Sequence, residues 1–439
     1  MEFDDLSTLR IAACDLNGQM RGKRMPVASA TKLEKGAMRM PFSALNVDLW
    51  GADIDGSPLV FESGDQDATL RATDRGPVPM PWLAHPSALI PVSMYHDDGM
   101  PFDGDPRHAL ARVLDRYAAR GWRVLAATEL EFTLVDDSGP ALRPPVDPQS
   151  GRRCQAGEVL SLRYMDAYDA YFSDLYSGAQ AMGIPADAAI SESGIGQFEI
   201  NLTHQDAMRA ADDTWLFKEL VKGLARKHGM AATFMAKPYP EDAGNGMHVH
   251  FSVLDRYGDN VFDDGGQTGT EVLRSAISGC LAALPDCTLI FAPHGNSFDR
   301  LVPGAHAPTA ALWGYENRTA AIRVPGGPST ARRIEHRVAG GDTNPYLMLT
   351  AILGGALVGI EDDMTAPAPI AGNAYEVKDA PGLATSWQAS VDWFEDSPLA
   401  TRIFSAELLR NLVMTKRQEI RRFAELPSDL HWQSWLETV

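Results

Sequence analysis

Polar residues recur two positions apart in four short segments of this 439-residue chain, and that spacing constrains the fold more than any other feature. Glu129 and Glu131 flank Leu130, Glu199 and Asn201 flank Ile200, and His248 and His250 flank Val249. Glu335 and Arg337 flank His336 in the fourth segment. Residues two apart share one face of a β-strand, so the first three segments read as strands with one polar and one apolar face. A single strand of this kind can simply turn its polar face to water. Four of them, together with Glu192 in the glycine-rich SESGIGQ, point to faces that converge. Convergence would bring Glu129, Glu131, Glu192, Glu199 and Glu335 into one cavity with an imidazole. Carboxylates packed that closely repel and need divalent cations to ionise together. Oxygen-rich ligation suits Mg²⁺ or Mn²⁺ better than structural zinc.

A second cluster is basic. Arg300, Arg318, Arg323, Arg332, Arg333 and Arg337 lie close together in a chain of net charge −19. They can form a solvated basic face, or they can read carboxylates and phosphates by paired hydrogen bonds. Carboxylates for metals beside arginines for anions is the equipment of phosphoryl transfer. No phosphate-binding glycine loop accompanies them: Gly18–Lys23 (GQMRGK) is one residue short of the P-loop spacing.

Around these motifs the spacing predicts an α+β chain. Residues 1–103 are rich in Gly and Pro between short β-like runs, Leu9–Asp15 and Ala88–Met94, and read as a small β-rich domain. The polar, turn-rich His96–Asp105 marks the boundary with a large domain over 104–439. There, helices are expected over Arg107–Arg120, Met165–Met182, Ala207–His228, Glu271–Ala283 and Asn344–Ile360, and through most of Trp387–Phe423. Strands are expected over Arg123–Val135, Ala231–Lys237, Met247–Leu254 and Thr319–Val324. The acidic balance argues against nucleic-acid and polybasic membrane-surface roles. The acidic N-terminus lacks the pattern of a secretory signal, and the apolar stretch from Tyr346 to Ile360 is too short to span a bilayer. Four scattered cysteines form no C-x-x-C pair. The expectation is a cytoplasmic protein with free thiols.

The motifs resemble those of the glutamine synthetase family, in its usual order and through most of the chain. CDLNGQMRGKRMP is similar to the start of the family's small β-grasp domain. TELEF, SESGIGQFEINL, KPYPEDAGNGMHVHFS, NSFDRLVPGAHAP, ENRTAAIRVP and ARRIEHRVAGGDTNPYL are similar to its catalytic motifs. The resemblance implies a β-grasp domain followed by a catalytic domain with a curved antiparallel sheet and flanking helices. It implies an ATP-dependent ligase that activates glutamate as a γ-glutamyl phosphate, with two or more Mg²⁺ or Mn²⁺ ions per site. Glu131, Glu192 and Glu199 match the ligands of the metal on the glutamate side, and Glu129, His248 and Glu335 those of the metal holding the ATP phosphates. Glu131, Gly244, Arg300 and Arg337 match glutamate and phosphoryl contacts, and Arg318 matches an arginine near the γ-phosphate. His250, Ser252, Arg323 and Arg333 match the nucleotide side. A cytoplasmic ring oligomer, commonly a dodecamer with sites shared between adjacent subunits, is part of what the resemblance implies.

The departures from the family pattern are as informative. Ammonia-using members carry Gly-x-Glu-x-Pro in a flap; here the motif is GAHAP, and His306 replaces that Glu. A histidine can accept a proton near neutral pH but brings no negative charge for an ammonium ion. The Asp-Gly-Ser-Ser loop of ammonia users is replaced by MPFSALNVDLWG, and Ala243 stands where an Asn is expected before Gly244. Losing both ammonium-binding carboxylates is the pattern of the family's γ-glutamyl-amine ligases, which use polyamines or monoamines. A polyamine would want a distal acid, for which Glu316, Asp48 and Asp53 are candidates. The alternatives are an ammonia-dependent glutamine synthetase, a metal-dependent hydrolase and a non-catalytic relative. The hydrolase leaves the arginines without a role, and the complete ligand set speaks against a non-catalytic relative. The segment Ala374–Pro381 (AYEVKDAP) lacks the Tyr motif that bacterial members use for adenylylation.

Overall fold

A computed structural model describes residues 6–305 and 307–439. The first strands form a sheet whose order is set by one long-range pairing. The strands are β1 (Thr8–Cys14), β2 (Met20–Met25), β3 (Arg39–Pro41), β4 (Asp67–Ala72), β5 (Val78–Pro79) and β6 (Ser87–Tyr95). They run in the order β2-β1-β6-β4-β3, with β5 paired to β6. β1 and β6 are parallel, and the other pairs are antiparallel. The Asp15 carboxylate accepts from the backbone N–H groups of Asn17 and Gln19, both at 2.9 Å, which turns the chain from β1 into β2. Alternate residues of β1 serve two cores. Leu9, Ile11 and Ala13 pack within the N-terminal sheet, whereas Ala12 and Cys14 join the large core that runs through the rest of the chain.

The second sheet is built around β7 (Arg123–Val135), the longest strand. With β8 (Ala186–Ser191), β9 (Gln197–Asp206), β10 (Ala231–Thr233), β11 (Met247–Leu254), β12 (Trp313–Tyr315), β13 (Ile322–Val324) and β14 (Ile334–His336), the order is β12-β13-β14-β11-β7-β9-β8. β10 pairs the end of β7, and only β12 and β13 pair in parallel among these described strands. Helix Ala207–Lys227 lies against β7, where the Thr128 and Thr214 hydroxyls meet at 2.9 Å.

Helix Pro345–Glu361 is buried from Pro345 to Ile360. Asn344 caps it, accepting from Tyr346 N and Leu347 N. Its glycines permit close approach to helix Glu271–Asp286: a Cβ on Gly359 would meet the Ser275 carbonyl oxygen at 2.2 Å, and one on Gly279 the Gly355 oxygen at 2.1 Å. No described helix is long and apolar enough to cross a membrane.

Three expected elements are shorter or broken, each for a local reason. The helix expected over Met165–Met182 is split at Tyr168 into Leu162–Ala167 and Asp169–Met182. Tyr168 is buried edge-on against Phe198, and its hydroxyl meets Cys154 Sγ at 3.2 Å. The strand expected over Ala231–Lys237 stops at Thr233, because the Asn245 side chain takes the Met235 carbonyl at 2.9 Å. The strand expected over Thr319–Val324 begins at Ile322, because Asn317 Oδ1 turns the chain by accepting from Thr319 N at 3.0 Å.

Helix Ala406–Glu425 docks on the N-terminal loops: Asn17 donates to Glu419 at 2.7 Å, Asn46 to Thr415 at 2.8 Å, and Gln418 to Asp48 at 3.0 Å.

Candidate active site

Strand register decides which side chains meet. Glu131 lies opposite Glu199, Glu129 opposite His248, His250 opposite Glu335, and Arg323 opposite Glu335. Directly opposed residues share a sheet face, so β9, β7, β11, β14 and β13 present one continuous polar row. The intervening Leu130, Ile200 and Val249 are fully buried on the other face. The alternation in the sequence is thus a division between a polar face and the core.

Within the row, Glu129 accepts from His250 Nε2 at 2.9 Å and from His248 Nδ1 at 3.1 Å. Glu335 accepts from Arg323 Nη1 at 2.8 Å and from Arg337. Two groups of ligand atoms lie within 4.8 Å of one another: Glu129, Glu199 and His248, and Glu129, His250 and Glu335. Glu129 is common to both. The grouping cuts across the ligand sets expected from the motifs: Glu131 and Glu192 stand outside both triads, and His250, expected on the nucleotide side, stands inside one. Carboxylates with one imidazole each suit a hard divalent cation.

The electrostatics also fit a cation. Burial, followed by the charges of Glu129, Glu131 and Glu192, pushes the Glu199 carboxyl up to about 9. Burial and Glu131 raise Glu192 to about 7. Glu335 is lowered: burial opposes ionisation, but Arg337, His248, His250 and Arg323 outweigh it. On Glu129, burial is likewise overcome by hydrogen bonds from His248 and His250, and its carboxyl falls well below the usual range.

Glu131 accepts from Gly246 N at 2.5 Å and from Gln197 Nε2 at 3.4 Å. Gln197 also donates to the Gly244 carbonyl at 2.9 Å, tying β9 to the loop before β11. Sequence reasoning missed Gln197, although Gln197, Glu199 and Asn201 continue the same alternation. Asn245, also missed, is fully buried and hydrogen-bonds the loop backbone.

At this end of the row stands Arg300, the last residue of helix Gly295–Arg300. It is 4% exposed and donates to the Val338 carbonyl at 2.8 Å, and its stem packs beside Gly244. At the other end, Arg333 Nε donates to His250 Nδ1 at 3.2 Å. His250, Ser252 and Arg333 border a cavity of about 500 Å³ that reaches Glu129. Arg318 is exposed beside a separate cavity of about 570 Å³, and its charge favours ionised Glu192. His306 lies outside the described residues.

Two of the three candidate distal acids are occupied elsewhere. Asp48 is fully buried, accepting from Trp50 N, Ala52 N, Gln418 and Arg422. Glu316 binds Gly326 N and Arg323. Asp53 is exposed.

Comparison with known proteins gives concordant matches. The family model described as glutamine synthetase, catalytic domain, matches residues 103–435. γ-Glutamylputrescine synthetase PuuA of Escherichia coli (strain K12) is 36% identical over 431 residues, covering 95% of this chain and 89% of that protein. Glutamate–isopropylamine ligase of a Pseudomonas species is 32% identical over 449 residues, covering 100% of this chain and 97% of that protein. A solved GmaS/ADP complex superimposes with a TM-score of 0.83 at 27% identity, covering 99% and 97% of the two chains.

Proposed function

The chain belongs to the glutamine synthetase family, and we propose on that premise that it is an ATP-dependent glutamate–amine ligase, with the residues of the polar row as its catalytic machinery. The observation that carries the assignment of residues is the register, which aligns acids, imidazoles and arginines from five strands on one face. In the first step the glutamate γ-carboxylate attacks the ATP γ-phosphorus, giving γ-glutamyl phosphate and ADP. In the second the amine nitrogen attacks the acyl carbon, phosphate leaves, and the nitrogen gives up a proton.

Glu129, Glu199, His248, His250 and Glu335 would hold divalent cations, with Glu131 and Glu192 beside them; Mg²⁺ or Mn²⁺ there supplies positive charge to the phosphate oxygens. Arg300 and Arg337 hold the glutamate carboxylates and the transferred phosphoryl, and Arg318 stabilises charge near the γ-phosphate. Arg300 is almost wholly buried, so its charge acts with little screening. His250, Ser252, Arg323 and Arg333 serve the nucleotide, in keeping with the cavity beside Glu129. Gly244 presents backbone to glutamate, and the resemblance assigns His306, in the place of the flap Glu, to the handling of the amine. A cytoplasmic ring oligomer, commonly a dodecamer, belongs to the same reading. The four buried free cysteines suit a reducing compartment.

The amine-ligase reading is preferred to an ammonia-dependent glutamine synthetase because the putrescine and isopropylamine enzymes match at 36% and 32% identity, and because His306 replaces the flap Glu. Phosphate release with glutamate and Mg-ATP tests it across ammonium, methylamine, ethylamine, ethanolamine, putrescine and spermidine. An organic amine should exceed ammonium in kcat/KM by about tenfold or more, roughly 1.4 kcal/mol of transition-state preference. Preference for ammonium would overturn it.

A further inference from the structure

The helix that carries Arg300 is pinned along one face. Ser297 and Arg300 stand three residues apart on Gly295–Arg300, so both can face the loop 338–342. Arg300 Nη1 donates to the Val338 carbonyl at 2.8 Å, and Ser297 Oγ donates to the Asp342 carboxylate. The same hydroxyl accepts from His294 N at 3.0 Å, which closes the first turn of the helix. Two contacts about a turn apart fix how the helix is rotated about its axis, which one contact cannot do.

The backbone on either side does not need the link between Ser297 and Asp342. The Asn296 side chain grips Lys237 twice, accepting from its N–H at 2.8 Å and donating to its carbonyl at 2.9 Å. The loop 338–342 is held by Gly340 N on the Phe291 carbonyl and Gly341 N on the Asn245 carbonyl, both at 3.0 Å. Lys218 Nζ adds a bond to the Gly341 carbonyl at 2.9 Å. Asp342 and Ser297 are both buried, and Asp342 Oδ1 has no partner among the described residues. A buried carboxylate with a single hydroxyl as partner is costly unless it answers a cation. The cations near it are Lys218 and Arg300, which with Ser297 oppose the effect of burial on its carboxyl. On Arg300, in turn, burial is opposed by the charges of Glu131 and Asp342. The guanidinium thus has two carboxylates near it, one from the polar row and one from this loop.

We propose that Asp342, acting through Ser297, is a positioning residue that aims the Arg300 guanidinium at glutamate, and so sets the affinity for that substrate without touching it. This rests on the reading of Arg300 as a glutamate contact and extends it. The nucleotide cavity lies at the other end of the row, beside His250 and Arg333, so the effect belongs to glutamate and not to ATP.

The test is steady-state kinetics on the full chain with Mg-ATP, using whichever of methylamine, putrescine or ammonium turns over fastest. Ser297→Ala removes one oxygen, and Asp342→Asn removes the charge while keeping the shape. Each should raise the KM for glutamate about tenfold and leave the KM for ATP within about twofold. Arg300→Lys should also raise the KM for glutamate, because an ammonium cannot replace the planar fork. In that background neither substitution should add more than about twofold. Equal rises in both KM values, or full additivity with Arg300→Lys, would make the pair a structural contact only and overturn the proposal. An unchanged glutamate KM in Ser297→Ala also overturns it, as does a lower Tm without a split between the two KM values. Should Asp342→Asn fail to fold, Ser297→Ala decides alone. If Arg300→Lys leaves the glutamate KM unchanged, the reading of Arg300 as a glutamate contact has failed instead.

Discussion

At the scale of single residues, the polar row makes its members unequal. Glu131 is held by Gly246 N and Gln197 at the junction of two strands, so an amide there changes both charge and the loop before β11. Glu131→Gln should lower kcat/KM by at least about 10²-fold with the fold intact by circular dichroism; near-normal turnover would remove Glu131 from the site. His306→Glu restores a negative charge to the flap motif. It should raise the ammonium-to-methylamine ratio of kcat/KM by about tenfold, and an unchanged ratio would take His306 away from the amine.

Proton linkage belongs to the same scale. Glu199 and Glu192, at about 9 and about 7, keep protons that the unfolded chain releases near 4.3. Stability from a raised carboxyl is complete below the unfolded pKa and is lost as pH rises through the folded one. A cation displaces those protons, so its binding strengthens with pH. The Tm gain from Mg²⁺ should therefore be larger at pH 8.5 than at pH 6.5, measured by differential scanning calorimetry. Equal gains would mean that these carboxylates are not near the metal.

At the scale of elements, strand alternation carried most of what the sequence disclosed. Glu129, Glu131, Glu199, His248 and His250 were legible because a period of two marks a face without knowledge of the partner strand. The pairing of Glu131 with Glu199 was not legible, because register depends on long-range contacts that no local pattern encodes. Nor was the grouping of Glu129 with Glu199 and His248, and with His250 and Glu335, which depends on where side-chain atoms end. The shortened strands at Thr233 and Ile322 escaped for a different reason: Asn245 and Asn317 compete for backbone groups from outside the ladder or at its edge.

Helix packing offers its own test. Gly359→Ala directs a methyl at the Ser275 carbonyl, whereas Gly354→Ala directs one at the Ile403 side chain, which can rotate. Urea denaturation should show Gly359→Ala destabilised by about 1–3 kcal/mol and Gly354→Ala by less, because alanine's better helix propensity offsets part of a softer clash. Equal losses would mean that the helices slide rather than clash.

At the scale of the whole molecule, the site draws on segments from Glu129 to Arg337, and its frame is closed by the last long helix. Asp48 is fully buried, and the side chains that reach its carboxylate, Gln418 and Arg422, lie 370 and 374 positions later. A ribosome adds about 5–20 residues per second, so this carboxylate waits some tens of seconds for its partners during synthesis. Until they emerge, the loop that holds it must stay open to water or be shielded by a chaperone. The N-terminal region is made first and finished last, and a nascent chain stalled before Ala406 carries every strand of the polar row on an unfinished foundation.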